Sequence, residues 1–524
     1  MDFLIHHILQ ASARRHPDKE GLVHGDERLS YRQMAERVSG LAHGLRAAGL
    51  RRGDRMGIYL DASVPQALSI FGVSQADGVY VPISGLLFPE QVAHIARDCQ
   101  MKGLITTRQK LASLAQILKE ISSLEFVVVV GGREPVDAPV PSYYFDDLCG
   151  QRPAPPSREE AIDKDLAAIL YTSGSTGKPK GVMLSHAQVL AGSSIVSTYL
   201  EITEADRILA VLPFSFDAGM NQLITAFHQG ATLVLINFVF AREVVQTLAR
   251  ERISGLAGVP TFWSLMSQPS SALHKQELPD LRYVTNTGGA MPQSVLATLR
   301  RLLPNTRVFL MYGLTEAFRS TYLPPEELDR RPTSIGKAIP NTEILVINEK
   351  GQLCGPGEVG ELVHRGPTVS MGYWGQPELT AKVLRPNPLR PPERADPVCY
   401  SGDYVKMDEA GYLYFVGRRD TMIKSSGFRI SPTEVEEVLF RSGLVKGAAV
   451  VGVPDGILGQ SIKAFVVARD GAPVDPERLR DFCAANMPRH MLPGVIEVLD
   501  DLPKTTSGKV DYATLRRREE SAGG

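Results

Sequence analysis

The chain lacks any apolar run approaching the ~18 residues that a bilayer-spanning helix needs, which excludes a helical membrane protein. Cysteine is scarce and scattered. The five residues Cys99, Cys149, Cys354, Cys399 and Cys483 are odd in number and show no CxxC spacing and no paired histidines. Neither a zinc site nor a disulfide framework can be built on them. An excess of one charge is missing too: 57 basic residues balance 58 acidic ones, leaving a net charge of −1. A nucleic-acid or anionic-membrane binder would show a basic footprint, and none is present. The opening Met-Asp-Phe-Leu-Ile-His-His places an acid where a secretory leader has its basic stretch, so the expected location is cytoplasmic.

The remainder is ordinary globular material. At 524 residues the chain is too long for one core, and about 150 residues per domain suggests two to four units. Up to residue 310, helical and strand patterns alternate. Tyr31 to Leu50 carries a helical stripe at Met34, Val38, Leu41 and Leu45, and short apolar runs fall at Met56–Leu60, Val79–Ile83, Gly103–Thr106, Phe126–Val130 and Leu166–Tyr171. Further runs follow at Ala231–Ile236, Ile253–Val259, Leu281–Thr285 and Arg307–Met311. Continuous apolar strands joined by helices predict a mostly parallel sheet covered on both faces. From 341 to about 375 the texture changes to short strands and turns, and Arg385–Pro397 reads as a loop. Near Gly417 a new unit begins, with helices at Pro432–Arg441 and Pro476–Asn486 and strands at Ala448–Val453 and Ile462–Val467. Arg516–Gly524 reads as a frayed end.

One segment stands out chemically: Tyr171-Thr172-Ser173-Gly174-Ser175-Thr176-Gly177-Lys178-Pro179-Lys180-Gly181. Glycines let successive N–H groups converge on an anion, while hydroxyls and two lysines add donors and charge. It is not the common P-loop, which needs glycine where Thr172 stands and a hydroxyl residue where Pro179 stands. The alternative is a flexible polar linker. Its place after an apolar strand and before a helix near His186 favours phosphate binding. Other candidate sites are weaker singly. Tyr312-Gly313-Leu314-Thr315-Glu316 joins an aromatic, a turn, a hydroxyl and a carboxylate suited to nucleotide-bound Mg²⁺. Tyr400-Ser401-Gly402-Asp403 puts an acid beside a turn. Gly417-Arg418-Arg419-Asp420 marks the unit boundary, and Pro503 to Lys509 is a basic loop.

Together and in this order, these segments resemble the AMP-forming acyl- and aryl-CoA synthetases, firefly luciferase and nonribosomal adenylation domains, over essentially the whole chain. The resemblance implies an α/β fold with a large N-terminal domain (1–417) of parallel-rich sheets, whose part 341–417 is β-rich. A small mobile α+β C-terminal domain (418–524) would turn on a hinge near Asp420. It implies ATP and Mg²⁺ as cofactors. Thr172 to Lys180 would close over the β- and γ-phosphates, Gly288, Gly289, Ala290 and Tyr312 with Gly313 would frame the adenine, and Thr315 would face the α-phosphate. Glu316 would hold Mg²⁺, and Asp403 and Arg418 the ribose. Lys509 would bridge the substrate carboxylate and the α-phosphate. Gly427 and Arg429 would serve the thiol half-reaction. The implied reaction is activation of a carboxylic acid to an acyl-adenylate and transfer to a thiol, CoA or the phosphopantetheine of an acyl or peptidyl carrier protein.

The acid pocket is less determined. It would begin at Phe216-Asp217 and include Asn221, and Phe-Asp-Ala is closer to amino-acid adenylation domains, in which that aspartate binds the α-ammonium. Arg319 matches a pocket-lining position and suits a second carboxylate. Against these, Asp217 would simply cap the helix after it and Arg319 would pair on the surface. Two further readings stay open: an inactive homologue that only binds, and a kinase or ATPase releasing ADP.

Overall fold

The apolar runs become strands in a computed structural model of the chain, which describes residues 2–151, 160–173, 179–419, 421–425, 428–455, 458–469, 474–505 and 509–522. They divide between two sheets. One has seven strands, in the order Ser142–Tyr144, Phe126–Val130, Gly103–Thr107, Arg55–Tyr59, Val79–Pro82, Leu166–Ser173, Pro179–Ser185, parallel except for the last pair. The other has nine. Its parallel part runs from Glu20–His24 through Thr232–Leu235, Arg207–Ala210, Gly255–Gly258 and Tyr283–Asn286 to Arg307–Leu314, with antiparallel strands at either end. The N-terminal strand pairs Leu22 with Leu233, far along the chain, a partnership that no local pattern encodes.

Both sheets share one core. Met56, Ile58 and Ile105 of one and Ile208, Leu233 and Phe309 of the other cluster with the helices Tyr31–Ala47, Val64–Gln75, His186–Leu200 and Asp217–Gln229. A helix enclosed on all sides is expected to be apolar all round. Asp217–Gln229 departs from this: Asp217, Asn221, Gln222 and Thr225 are all buried in it.

The change of texture after residue 340 is a five-stranded antiparallel sheet of Glu343–Ile347, Val359–Arg365, Leu384–Pro386, Pro397–Met407 and Leu413–Arg418. The expected Arg385–Pro397 loop is partly structured, because Leu384–Pro386 pairs as an edge strand, where the missing proline N–H costs nothing. Pro392–Arg394 is a 3₁₀ turn. Arg418 closes the last strand of this sheet, so that strand runs through the expected boundary at 417.

Residues from Ile423 onward cluster apart, around Val435, Leu439, Val450, Phe465 and Leu515. Ser431 and Asp475 cap the two helices from their side chains, each with Pro in the first turn. The expected fraying does not begin at Arg516: Tyr512–Ala522 is a helix, and Lys463 Nζ pairs with Glu519 at 2.8 Å and Glu497 at 2.9 Å, while 523–524 lie outside the described residues. The first residue of that helix is also anchored. Tyr512 Oη donates to Glu436 Oε1 (2.9 Å), which also accepts from the Val450 N–H at 2.8 Å.

Burial pushes the Glu436 carboxyl up to about 7 from an ordinary 4.5. The folded state therefore holds this proton more tightly than the unfolded chain. The resulting stability is complete below about pH 4.5 and is lost as pH rises through 7, a change of roughly 3 kcal/mol. Glu436→Gln should flatten that dependence, read as hydrogen exchange of amides in 432–468 between pH 4.5 and 7. An unchanged slope would contradict it.

Candidate active site

The glycine-rich segment does not lead from strand to helix. Leu166–Ser173 and Pro179–Ser185 are antiparallel, with Thr172 opposite Lys180 and Ser173 opposite Pro179, so the segment joins a hairpin, and the helix starts one strand later at His186. The expectation failed because Pro179 to Ser185 alternates too little to read as a strand. Gly174, Ser175, Thr176, Gly177 and Lys178 lie outside the described residues, as do Asp420 and Gly427 and the side chains of Ser173 and Arg429. The base of the hairpin is held where Tyr171 Oη donates to Asp98 Oδ2 (2.5 Å) on a neighbouring helix.

Thr315 and Glu316 form the tight turn between Arg307–Leu314 and Ala317–Leu323, with a bulge between Tyr312 and Leu314. Gly313 is required there, since a Cβ would meet the Arg319 backbone at 2.9 Å. Tyr312 Oη donates to Asp403 Oδ2 (2.5 Å), and Arg418 Nε lies 3.3 Å from Asp403 Oδ1. Burial first, and the Asp403 charge second, push the Tyr312 hydroxyl well above its usual range, so it remains a donor. Glu316 is fixed likewise: Tyr373 Oη donates to its Oε1 (2.5 Å). One carboxylate suits Mg²⁺, which keeps water and phosphate oxygens as most of its ligands rather than a full protein cage. No cluster of three or more His, Cys, Asp or Glu able to hold a metal occurs among the described residues.

Lys509 arrives from the C-terminal unit. Its residue is exposed overall, yet its ammonium lies 5.6 Å from the centre of the Phe216 ring. Its Cε sits 3.1 Å from where a Cβ on Gly288 would stand, and Phe216 Cζ 3.5 Å. Gly288 has φ +79°, so any side chain here would be both strained and in the way of the lysine. Withdrawal from water lowers the Lys509 pKa, and Asp217 opposes this most, followed by Asp403 and Glu316, while Arg418 adds to the lowering. The groups expected at the acid, the ribose and the metal thus all act on one ammonium. Gly289 and Ala290 are exposed beside it, and Asn286 Nδ2 donates to the Gly289 carbonyl at 2.9 Å, shaping the turn.

The helix-cap reading of Asp217 does not hold. Phe216 is the N-cap, Asp217 is the first helical residue, and no side-chain cap hydrogen bond forms. Asp217 is only 7% exposed, and among the described residues its carboxylate makes no hydrogen bond. Surface pairing of Arg319 fails too. Arg319 is 5% exposed, has φ +58°, and donates from Nη1 to Thr287 Oγ1 at 2.8 Å.

Two contributors gave no signal in the sequence. Tyr373 holds Glu316 as described. Glu361 accepts from the Gly402 N–H (3.0 Å) and from Arg419 Nη1 (3.2 Å), tying the Asp403 turn to the segment after Arg418. Its Gly-Glu-Leu context offers only strand alternation.

A sequence model of AMP-binding enzymes matches residues 9–374, and one of the AMP-binding enzyme C-terminal domain matches 434–509. The chain belongs to the AMP-binding enzyme family. With it comes the adenylate-forming ligase superfamily and its α/β fold. This AMP-binding enzyme is 32% identical over 514 residues to a feruloyl-CoA synthase of an Amycolatopsis species, covering 97% of both chains. It is 30% identical to parts of two linear gramicidin synthase proteins of Brevibacillus parabrevis, and it spans only 10% of the length of one and 6% of the other. A solved anthranilate CoA ligase in complex with anthranoyl-AMP superposes with a TM-score of 0.90, at 25% identity and with 99% and 98% of the two chains covered. No helix among the described residues of this AMP-binding enzyme is long and apolar enough to cross a membrane.

Proposed function

We propose that the chain is an AMP-forming acid–thiol ligase that works in the cytoplasm. A carboxylate oxygen of the acid attacks the α-phosphorus of ATP and pyrophosphate leaves. The thiol of CoA then attacks the acyl carbon, and AMP leaves with the electron pair of the broken C–O bond. The observation that carries this reading is the placement of the Lys509 ammonium. It lies near Phe216 and Gly288 and is acted on by Asp217, Asp403 and Glu316. Two anions must approach each other in the first step, and one cation between them offsets the charge that builds. Mg²⁺, held by Glu316, would neutralise part of the phosphate charge. Asp403 and Arg418 would hold the ribose, Tyr312 would orient Asp403, and Thr172 and Lys180 would place the phosphate hairpin. The ligase releases AMP, whereas a kinase or ATPase releases ADP, so the nucleotide product separates these. An inactive binding homologue is opposed by Lys509, Glu316, Asp403 and Arg418 acting at one place.

The same lysine would obstruct the thiol. We therefore read 418–524 as a domain that turns about Asp420 between half-reactions, with Gly427 and Arg429 serving the second.

The pocket supports a polar acid. Asp217 and Asn221 are one helical turn apart on the buried helix, and both are buried without a side-chain hydrogen bond among the described residues. A second reading is favoured by Asp217 alone: amino-acid adenylation for a carrier-protein pantetheine, with Asp217 taking the α-ammonium. A buried unpaired carboxylate repels a simple acid and welcomes an ammonium. Under this reading Asp217→Asn should shift the kcat/KM ratio between an amino acid and its des-amino analogue by about 10²-fold towards the latter. An unchanged ratio makes Asp217 structural and leaves the acyl-CoA ligase reading alone in place.

A further inference from the structure

Residues Thr368 to Trp374 lie between the two elements expected at the phosphates. On one side they pair with the turn that carries Glu316. The Phe318 N–H donates to the Thr368 carbonyl (3.1 Å), Val369 bridges Ala317, and the Ser370 N–H donates to the Glu316 carbonyl (2.8 Å). On the other side they pair with the second hairpin strand, Pro179–Ser185. The Met371 N–H donates to the Met183 carbonyl and the Met183 N–H to the Gly372 carbonyl, both at 2.9 Å, and the Trp374 N–H donates to the Gly181 carbonyl at 2.8 Å. One short segment thus joins the backbone of Glu316 to the strand that contains Lys180.

Tyr373 is the residue of this segment whose side chain reaches the site. It is 7% exposed, its N–H donates to Thr380 Oγ1 at 2.9 Å, and the next residue is pinned where Trp374 Nε1 donates to the Asp98 carbonyl at 3.0 Å. Phenylalanine would fill the same space, so the hydroxyl needs a reason of its own. Tyr373 Oη donates to Glu316 Oε1 at 2.5 Å, and among the described residues no hydrogen bond or ion pair falls on Oε2. Glu316 itself is half-buried rather than enclosed. One oxygen of the carboxylate is therefore tied and the other is left open.

We infer that Tyr373 is a positioning residue for the metal carboxylate: by occupying Oε1 it offers Oε2 alone to Mg²⁺. This rests on the ligase reading, in which Glu316 holds the metal. Mg²⁺ demands a near-ideal octahedron, into which the narrow bite of a two-oxygen carboxylate fits poorly, whereas the larger Ca²⁺ accepts it. A hydrogen bond that fixes one oxygen therefore favours the smaller ion. Outer partners that orient a metal-ligating group are commonly worth 10–100-fold in metal affinity or activity.

Calorimetry tests this with a non-hydrolysable ATP analogue titrated into the intact protein in Mg²⁺, in Ca²⁺ and in EDTA. The ratio of affinities with and without metal isolates the contribution of the ion. In the wild type, Mg²⁺ should raise the affinity more than Ca²⁺ does. Tyr373→Phe should lower the Mg²⁺ enhancement by about 10-fold, bring the two ions closer together, and leave far less mark on the affinity in EDTA. In a Glu316→Gln background the same change should have no effect on the enhancement, because the carboxylate it orients is gone. Equal losses with and without metal in Tyr373→Phe overturn the assignment, as does a full loss in the Glu316→Gln background or the absence of any Mg²⁺ enhancement in the wild type. If acid-dependent pyrophosphate exchange is absent but the Mg²⁺ enhancement falls in Tyr373→Phe, the ligase reading fails and the positioning role stands. If exchange proceeds and the enhancement ignores Tyr373, the ligase reading stands and the role falls. Should Tyr373→Phe fail to fold, the wild-type comparison decides, and Ca²⁺ enhancing binding as much as Mg²⁺ overturns the role.

Discussion

Lys509→Ala is expected to reduce acid-dependent adenylate formation by at least about 10²–10³-fold, the usual loss when one preorganised charge-stabilising donor is removed. Thioester formation from a supplied acyl-adenylate should persist. The reasoning is electrostatic. The ammonium lies beside Phe216 and Gly288, where its charge can act at close range on the two anions that must meet. Burial lowers its pKa, and Asp217, Asp403 and Glu316 oppose that lowering. In the second half-reaction a neutral thioester forms and the same charge has no comparable work. The two rates can be measured separately, by pyrophosphate exchange and by mixing the variant with synthetic acyl-adenylate and CoA. Equal losses in both would show that Lys509 is a structural residue of the cleft.

The second large effect is expected at Asp420. It follows Arg419, whose N–H donates to the Gly402 carbonyl at 2.7 Å and whose guanidinium meets Glu361, and it precedes Thr421, whose N–H donates to the Arg418 carbonyl at 3.1 Å. The Thr421 and Met422 N–H groups both return to the Arg418 carbonyl, so the proposed rotation would break these two bonds while Arg419 stays tied to the Gly402 turn. Proline at 420 fixes φ near −65°. Asp420→Pro should leave pyrophosphate exchange near the wild-type rate and nearly eliminate thioester product. Full turnover with CoA would remove Asp420 from the hinge role.

Chemistry was more legible in the sequence than connectivity. Asp403 and Glu316 each sit in or beside a turn, as the glycine and hydroxyl residues around them suggest, while the residues just before Lys509 lie outside the described ones. The strands were legible as apolar runs, since burial on both faces leaves no alternation to decode. Their division between two sheets was not, because Leu22 meets Leu233 through packing that no local pattern records. The hairpin at Thr172 and Lys180 was hidden for a related reason: Pro179 and Gly181 are residues that strands usually avoid. Pocket roles were least legible. Asp217 could be a cap or a ligand by its position alone, and only the hydrogen bonding shows that Phe216 takes the cap position. Arg319 looks like a surface residue until strand Ala317–Leu323 is seen to be almost wholly buried. The anchoring of Tyr512 by Glu436, three residues beyond Lys509, joins two elements far apart in the chain.

Exchange of labelled pyrophosphate into ATP, with and without a carboxylic acid and with the nucleotide products of full turnover separated, tests the central claim most directly. The expected exchange depends on the acid, disappears in Lys509→Ala, and is accompanied by one AMP for each thioester formed when CoA is added. Exchange without acid, or ADP in place of AMP, would contradict that claim.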